Sequence, residues 1–294
     1  NDFNDDMKRF ISNVKLEGRF RNSTLNSRDI AFFAPELTSW NRLIQIKGDV
    51  KGTVDNLSAK NFIIESGKDT YLNGNVKLAG LPDIDSTYIF FRANDFRTTY
   101  ADVAELFPDI KKMESPRINE IKRLQFKGDF TGFLRDFVTY GTIQTNLGTI
   151  VSDLNMKFPV KGNATYSGKI STDQFDMGTF LGVKSMGQMS FNGKVKGSGF
   201  SARNLNADLD GVFTRFQYNG YDSTVVKGHM DKKLFKGSVQ INDPGVIVLL
   251  DGDIDFNPKR PEFNFFADIQ RSNLKKMGFS KDDISVIGKF DMNF

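Results

Sequence analysis

The sequence has no cysteine and only one histidine among its 294 residues. The missing thiols exclude disulfides and thiolate metal sites, and a conventional zinc site has no ligand set to draw on. Long apolar runs are also missing, since stretches such as residues 246–250 are far too short to cross a bilayer as a helix. Residues 1–6 are polar and acidic, unlike a signal peptide. We therefore expect a chain that is soluble, or that reaches a membrane only through a segment outside it.

Motifs for catalysis are weak or missing. His229 lies at the end of a predicted strand, and we expect a structural or surface role for it. The acidic run 251–255 with Glu262 resembles a calcium loop, but Phe256 stands where that loop needs glycine, and the run alternates like a strand. The glycine-rich segment 193–199 matches neither a P-loop nor a dinucleotide-binding fingerprint. The sequence therefore predicts a protein that is not an enzyme and that holds no cofactor and no metal.

Charge is nearly balanced, with 40 Lys and Arg against 36 Asp and Glu. The small basic excess is mixed along the chain, and neither a basic tract nor an aromatic RNA-binding motif is present. We therefore predict no nucleic-acid partner, while a weak attraction to anionic lipid headgroups stays open. Among the apolar residues Phe dominates, with 29 Phe against 7 Tyr and 1 Trp. Because Phe buries a large area and has no polar atom, this predicts either an aromatic-rich β core or a greasy surface.

Four segments share the pattern apolar, polar, apolar, any residue, Gly, charged, apolar. They are residues 44–52, 124–132, 189–197 and 284–290. The alternation has the period of a β-strand and places one apolar set on one face of each strand. That set is Ile44, Ile46, Val50, Leu124, Phe126, Phe130, Met189, Phe191, Val195, Val286 and Phe290. The glycine within each strand predicts a bulge, a bend or a close approach of two backbones.

The marked strands divide the chain into repeat units of unequal length. We predict that residues 1–43 are the tail of a preceding unit, that 44–123, 124–188 and 189–283 are three units, and that 284–294 begin the next, all within one continuous elongated domain. Short helical signals close the units at residues 27–37, 99–107, 173–181 and 272–277. Further predicted strands fill the intervals, among them 72–78, 139–151, 155–160 and 246–256. Because the chain begins and ends within units, we expect it to be an interior piece of a longer protein.

Together with these strands, three segments carry a family resemblance: residues 29–37 (DIAFFAPEL), 48–57 (GDVKGTVDNL) and 73–83 (NGNVKLAGLPD). They resemble the AsmA-like superfamily, and most closely the TamB-like translocation and assembly proteins of Gram-negative envelopes. The resemblance spreads over most of the chain, and its specificity comes from the order and repetition of degenerate motifs. It implies a mainly β fold, in which an elongated, curled, repetitive sheet forms a taco-like groove that is open along one side, with a few short helices at repeat ends.

The resemblance also implies a location, a cargo and a partner. Members of the family are periplasmic, are anchored to the inner membrane by one N-terminal helix, and are thought to conduct phospholipid between the inner and outer membranes. TamB-like members pair with an Omp85-type outer-membrane barrel protein, which implies an alternative role as a scaffold for outer-membrane or autotransporter protein assembly. The anchor and the partner-binding region have no counterpart in this chain. The eleven apolar residues given above are then expected to line the groove and contact acyl chains.

Two alternatives remain open at this stage. The first is that the apolar residues form a closed, dry core that binds no ligand. The second is a β-helical carbohydrate enzyme or adhesin, which would need a cluster of acids on one surface and a strict repeat of about 20–30 residues. The sequence shows neither feature.

Overall fold

The computed structural model of the chain describes residues 9–30, 42–113, 116–184, 186–200, 204–218, 225–231, 234–243, 245–255, 262–275 and 280–293. These residues fall into two compact units, which are treated separately below. Unit 1 comprises Asn1–Glu114, Ile118–Asn146 and Asn155–Phe158, and unit 2 comprises Ser115–Arg117, Leu147–Leu154 and Pro159–Phe294.

Unit 1 is an antiparallel sheet in which each strand pairs with the next one along the chain. Its strands are β1 (Leu16–Asn26), β2 (Leu43–Thr53), β3 (Asn56–Ser66), β4 (Thr70–Ala79), β5 (Tyr88–Thr99), β6 (Arg123–Phe133) and β7 (Asp136–Thr145). Strand β8 (Gly148–Lys157) contributes residues to both units. Helix α1 (Ser27–Ile30) follows β1, and α2 (Tyr100–Leu106) follows β5. Two short 3-10 helices, Pro108–Lys112 and Ile118–Glu120, complete the connection from β5 to β6.

Unit 2 continues with the same antiparallel pairing. Its elements are β9 (Thr165–Asp173), β10 (Phe175–Asp176), α3 (Met177–Leu181), β11 (Met186–Ser198), β12 (Asn206–Tyr218), β13 (Val225–Asp231), β14 (Leu234–Asp243), β15 (Val246–Asp255), β16 (Glu262–Arg271) and β17 (Gly288–Asn293). Strand β11 pairs with β9 on one side and with β12 on the other, and β10 pairs with the beginning of β11. From β12 to β17 each strand pairs with its successor.

The short helices have local causes that can be read in the sequence. The Thr99 side chain accepts a hydrogen bond from the Asp102 N–H at the start of α2, and Pro108 follows the end of that helix. The Asp176 side chain likewise caps α3 by accepting from the Thr179 N–H, and Gly182 ends the helix in the left-handed conformation with φ 75°. The predicted fold class is confirmed: the chain is mainly β, with a repetitive antiparallel sheet and a few short helices.

Several predicted boundaries were wrong. Residues 139–151 are not one strand, because a turn at residues 146 and 147 separates β7 from β8, and residues 155–157 belong to the end of β8. Of the segment predicted as a helix at residues 272–277, residues 274 and 275 form a turn and 276–277 lie outside the described residues. The predicted helix at 27–37 is a helix at Ser27–Ile30, and residues 31–37 lie outside the described part.

The strand predicted from residue 284 begins only at Gly288. The reason is a hydroxyl that takes the place of a ladder partner: Ser272 Oγ accepts from the Val286 N–H at 2.9 Å and donates to the Val286 carbonyl at 2.6 Å. The predicted repeat units start near the beginnings of β2, β6, β11 and β17. The division into repeat units itself stays a prediction. In the described part of the chain, every helix is too short or too polar to cross a membrane.

Candidate functional site

The strongest functional feature is one apolar face of the sheet. In β2, Ile44 and Ile46 are buried and Val50 is half-buried, while the alternating Gln45, Lys47 and Asp49 are exposed. A strand places alternate side chains on opposite faces, so this pattern separates an apolar face from a polar face. The side chains that pack against Ile44 and Ile46 come from the flanking strands: Phe20, Leu25, Phe62 and Ile64.

In unit 1 the apolar residues align across the strands into two rows. Residues that face each other in a ladder lie on the same face of a sheet. The upper row consists of Ile46, Ile64, Leu72, Phe96, Phe126 and Ile143, on six successive strands from β2 to β7. The lower row consists of Val50, Ala59, Val76, Phe91, Phe130 and Thr139 on the same six strands. With Thr139 as the one hydroxyl-bearing member, the rows form a continuous apolar surface across these strands.

Unit 2 repeats this arrangement from β9 to β17. One row consists of Ile170, Gly193, Gly211, Val226, Val239, Leu250, Ala267 and Phe290. The neighbouring row consists of Gly168, Val195, Leu209, Gly228, Gly237, Gly252, Phe265 and Met292. No member of either row carries a polar side-chain atom.

The structure places ten of the eleven predicted lining residues on these strands. Leu124, Phe126 and Phe130 lie on β6, with Phe126 buried and the other two half-buried. Met189, Phe191 and Val195 lie on β11, and Phe290 lies opposite Ala267 on β17. Val286 is the exception, since it is half-buried but lies outside any strand and is bound to Ser272. That these residues contact acyl chains stays a prediction.

A third row, made of small residues, separates the upper and lower rows of unit 1. Gly74, Ala93, Gly128 and Gly141 face each other on β4 to β7. Gly128 has φ 150°, which L-amino acids rarely adopt, and a Cβ there would overlap the carbonyl oxygen of Tyr140. Aligned glycines in such conformations are a known means of bending a sheet. We call this row the glycine row.

Phenylalanine rings lie directly over many of the glycines, and the sequence analysis missed this relation. Ring atoms of Phe191 stand 2.6 Å from the position that a Cβ of Gly193 would take and 2.5 Å from that of Gly211. The ring of Phe235 covers Gly228 on the neighbouring strand in the same way. The signal in the sequence is a Phe two residues from a Gly, and Phe191 with Gly193 is one such pair. The abundance of Phe follows, because a ring fills the space that a missing side chain leaves.

The opposite face is charged, and residues of opposite charge stand opposite each other on several neighbouring strands. One row of unit 2 runs through Lys196, Asp208, His229, Lys236 and Asp253. Nδ1 of His229 lies 2.6 Å from Oδ1 of Asp208, and both side chains are well exposed. Opposite charges on neighbouring strands favour this register, although each exposed pair contributes little stability.

Polar side chains are buried where the longer connections leave the sheet. Ser27, Thr98, Thr172 and Ser272 are all buried, each at or just after the end of the strand that precedes such a connection. Ser27 Oγ accepts from the Arg42 N–H at 3.0 Å, and Thr172 Oγ1 accepts from the Phe191 N–H at 3.0 Å. These two bonds link the two ends of the connections after β1 and β9, so the Ser27 and Thr172 hydroxyls have protein partners without needing a ligand.

An ion cluster sits at the connection between β5 and β6. Arg42 binds Oδ1 of the buried Asp102 at 2.8 Å and forms a two-point contact with Glu105. The hydrogen bonds that Arg42 donates to Glu105, followed by the one that it donates to Asp102, raise the pKa of Arg42 above its ordinary value. Asp102 also accepts from Thr70 Oγ1 at 2.8 Å. Because both carboxylates already have hydrogen-bond partners within the protein, we interpret the cluster as structural: it holds α2 against the start of β2.

The described residues contain no group of three or more His, Cys, Asp or Glu that could hold a metal ion. The acidic run that resembles a calcium loop lies within strand β15, where Asp251, Asp253 and Asp255 share one face but lie about 6.8 Å apart along an extended backbone, so they do not converge on one point as the ligands of a calcium loop do. What the geometry offers chemically is therefore an extended apolar surface with a charged back. No family model, no curated protein and no solved structure matches the chain.

Proposed function

We propose that this chain is part of a periplasmic hydrophobic groove that conducts phospholipid between the inner and outer membranes of a Gram-negative envelope. The observation that carries the proposal is the pair of apolar rows, which continue from strand to strand in each unit. The family resemblance supplies the location and the cargo. The curled shape of the groove, an inner-membrane anchor elsewhere in the protein and pairing with an Omp85-type barrel belong to the same proposal.

The physics of acyl-chain transfer supports this use of the face. A lipid tail gains about 0.8 kcal/mol for each CH₂ group that leaves water, and it needs no directional partner. Neighbouring strands are about 4.8 Å apart, so a tail laid across the strands meets a new apolar side chain at each step. Many members of the rows, among them Leu72, Phe96 and Phe130, are half-buried and therefore keep surface that a ligand can cover. The charged back face keeps the sheet in water.

Site-specific photocrosslinking tests the proposal. A benzophenone amino acid is placed at Phe130 and at Val195, which are half-buried on the apolar face, with matched controls at the exposed Lys127 and Lys196 on the opposite face of the same two strands. After expression in a Gram-negative host and irradiation, phospholipid adducts are expected at Phe130 and Val195 and not at the controls, as read by mass spectrometry of the intact protein. Absence of lipid at both inner positions, while a lipid-binding control protein is labelled, would refute the proposal.

A second candidate is a scaffold for the assembly of outer-membrane proteins. Strand β1 is 11 residues long, and the ladder recorded for it in the described residues is the one with β2. A client strand could extend the sheet there through backbone hydrogen bonds. A crosslinker at Arg21 that captures a defined client strand, combined with no lipid at Phe130, would favour this role over lipid conduction.

A further inference from the structure

Two phenylalanine rings meet across the glycine row of unit 1. Phe91 belongs to the lower apolar row and Phe96 to the upper one. Their ring centroids are 6.2 Å apart, with an interplanar angle of 82°, which is an edge-to-face contact. Ala93, the member of the glycine row that lies between them on β5, is only 4% exposed. The two rings and their neighbours therefore cover the glycine row at this strand.

The strand is irregular where the two rings approach. The ladder of β5 with β6 shifts register between Ala93 and Phe96, and the ladder with β4 shifts between Asn73 and Gly74. Side chains on one face of a regular strand repeat about every 6.8 Å, so residues on either side of a central position start about 13 Å apart. The rings of Phe91 and Phe96 close this gap to 6.2 Å. The bulge in β5 and the small side chain of Ala93 together allow the two rings to touch.

Two further ring contacts in the described part of unit 1 have a different geometry. Phe130 and Phe137 are 4.7 Å apart, and Phe137 contacts Phe158 at 6.0 Å. Phe137 faces Gly132 on β6, which places it on the same side of the glycine row as Phe130. These rings therefore add bulk on the side of the lower row, whereas Phe91 and Phe96 connect the lower row with the upper row.

We propose that Phe91 and Phe96 form an aromatic constriction that sets the cross-section of the ligand on the apolar face. This inference rests on the proposed lipid-conducting function and names its selectivity. Because the two rings touch, a chain that passes β5 must lie over them and not between them, so an unbranched acyl chain lies flat on the rings whereas the methyl groups of a branched chain meet the ring edges. The specificity of the groove is then set at β5, whereas the rest of the two rows supplies general apolar contact.

The test is a competition between two phospholipids with the same headgroup. The purified chain is incubated with vesicles that contain equal amounts of dipalmitoyl and diphytanoyl phosphatidylethanolamine, and it is then reisolated. Bound lipid is extracted and quantified by mass spectrometry. The variants are Phe96→Leu and Phe91→Leu, each of which removes ring bulk from the constriction. The matched control is Phe133→Leu on β6, since Phe133 lies on the opposite face and is 40% exposed.

The wild-type chain is expected to retain the straight-chain lipid over the branched lipid by about tenfold, the lower end of what steric fit around small alkyl groups achieves. Phe96→Leu and Phe91→Leu should each lower this ratio severalfold without reducing total bound lipid, and Phe133→Leu should leave it unchanged. Equal retention of both lipids by the wild type, or an unchanged ratio in both constriction variants, overturns the constriction and leaves the proposed function intact. Retention of neither lipid by the wild type overturns the proposed function, and the constriction with it.

Discussion

Truncation of Phe191 gives the clearest test of how the apolar face is built. Its side chain is 4% exposed, and its ring lies over Gly193 and Gly211, which have no side chains of their own. A Phe side chain buries roughly 150–250 Å². At about 25 cal/mol per Å² this corresponds to at most about 4–6 kcal/mol, and Phe→Ala changes in protein cores cost about 3–5 kcal/mol. Because the two glycines cannot fill the cavity, we expect Phe191→Ala to lower the free energy of unfolding of unit 2 by about 4 kcal/mol.

The matched control is Phe266→Ala in the same unit. Phe266 lies on β16, faces Asp251 and Asp291 in the ladders, and is 42% exposed. Its truncation removes less buried area and opens no cavity, so we expect a loss of about 1 kcal/mol. Since the chain has two units and need not unfold in one step, stability is best measured by native-state hydrogen exchange of peptides from β11 and β12, with peptides from β2 and β3 as the internal reference.

The two variants compare the stability that a buried ring and an exposed ring contribute to unit 2. A loss for Phe191→Ala below about 1.5 kcal/mol, or one equal to that of Phe266→Ala, would show that the ring does not occupy the space over the glycine pair. An intermediate loss for Phe191→Leu is expected on the same reasoning, because Leu fills part of the space.

Three further predictions follow from other parts of the sheet. Gly128→Ala should destabilise unit 1 by roughly 2 kcal/mol or more in urea unfolding, because the residue has φ 150° and its new Cβ would overlap the carbonyl oxygen of Tyr140. An effect below about 0.5 kcal/mol, the size expected for a surface substitution, would contradict this. Ser272→Ala should cost about 1–3 kcal/mol, because it takes the buried Ser272 hydroxyl away from the half-buried N–H and carbonyl of Val286, whereas Ser285→Ala at an exposed position should cost almost nothing. Burial raises the pKa of Tyr166, so its contribution to stability is complete below the ordinary Tyr pKa and is lost as pH rises through the raised pKa. In ultraviolet difference titration, Tyr166→Phe should remove a phenol that ionises above the ordinary Tyr pKa.

Much of the fold was accessible from local sequence pattern. The alternation in residues 44–52, 124–132 and 189–197 predicted strands with one apolar face, and the structure has β2, β6 and β11 there. The cap of α2 was accessible for the same reason, since Thr99 and its target Asp102 are three residues apart. The helix predicted at residues 173–181 ends as predicted but begins only at Met177, with Asp176 as its cap. In contrast, the strand predicted from residue 284 begins later than predicted. The Ser272 hydroxyl, 14 residues before Val286, forms hydrogen bonds with both the N–H and the carbonyl of Val286.

The candidate site was predicted as a list of side chains and was found as a set of rows. Alternation within a strand shows which residues share a face, but it does not show which residue of the next strand stands opposite. Ladder register aligned Gly74, Ala93, Gly128 and Gly141, and it brought Phe191 over Gly211, which is 20 positions further along the chain. The contact of Phe91 with Phe96 depends in addition on a bulge that the alternation does not announce.

The sequence by itself therefore determined the class of fold, the two-faced character of the strands and, in the marked strands β2, β6 and β11, the residues that share the apolar face. These properties follow from side-chain chemistry with a period of two residues, which is local. The tertiary structure decided the register, the glycine row, the rings that cover it and the point at which the two apolar rows touch. Those features depend on pairings between residues far apart in the chain, where the closure of loops, the bulges and the fit of rings over glycine select one alignment among several that the pattern allows.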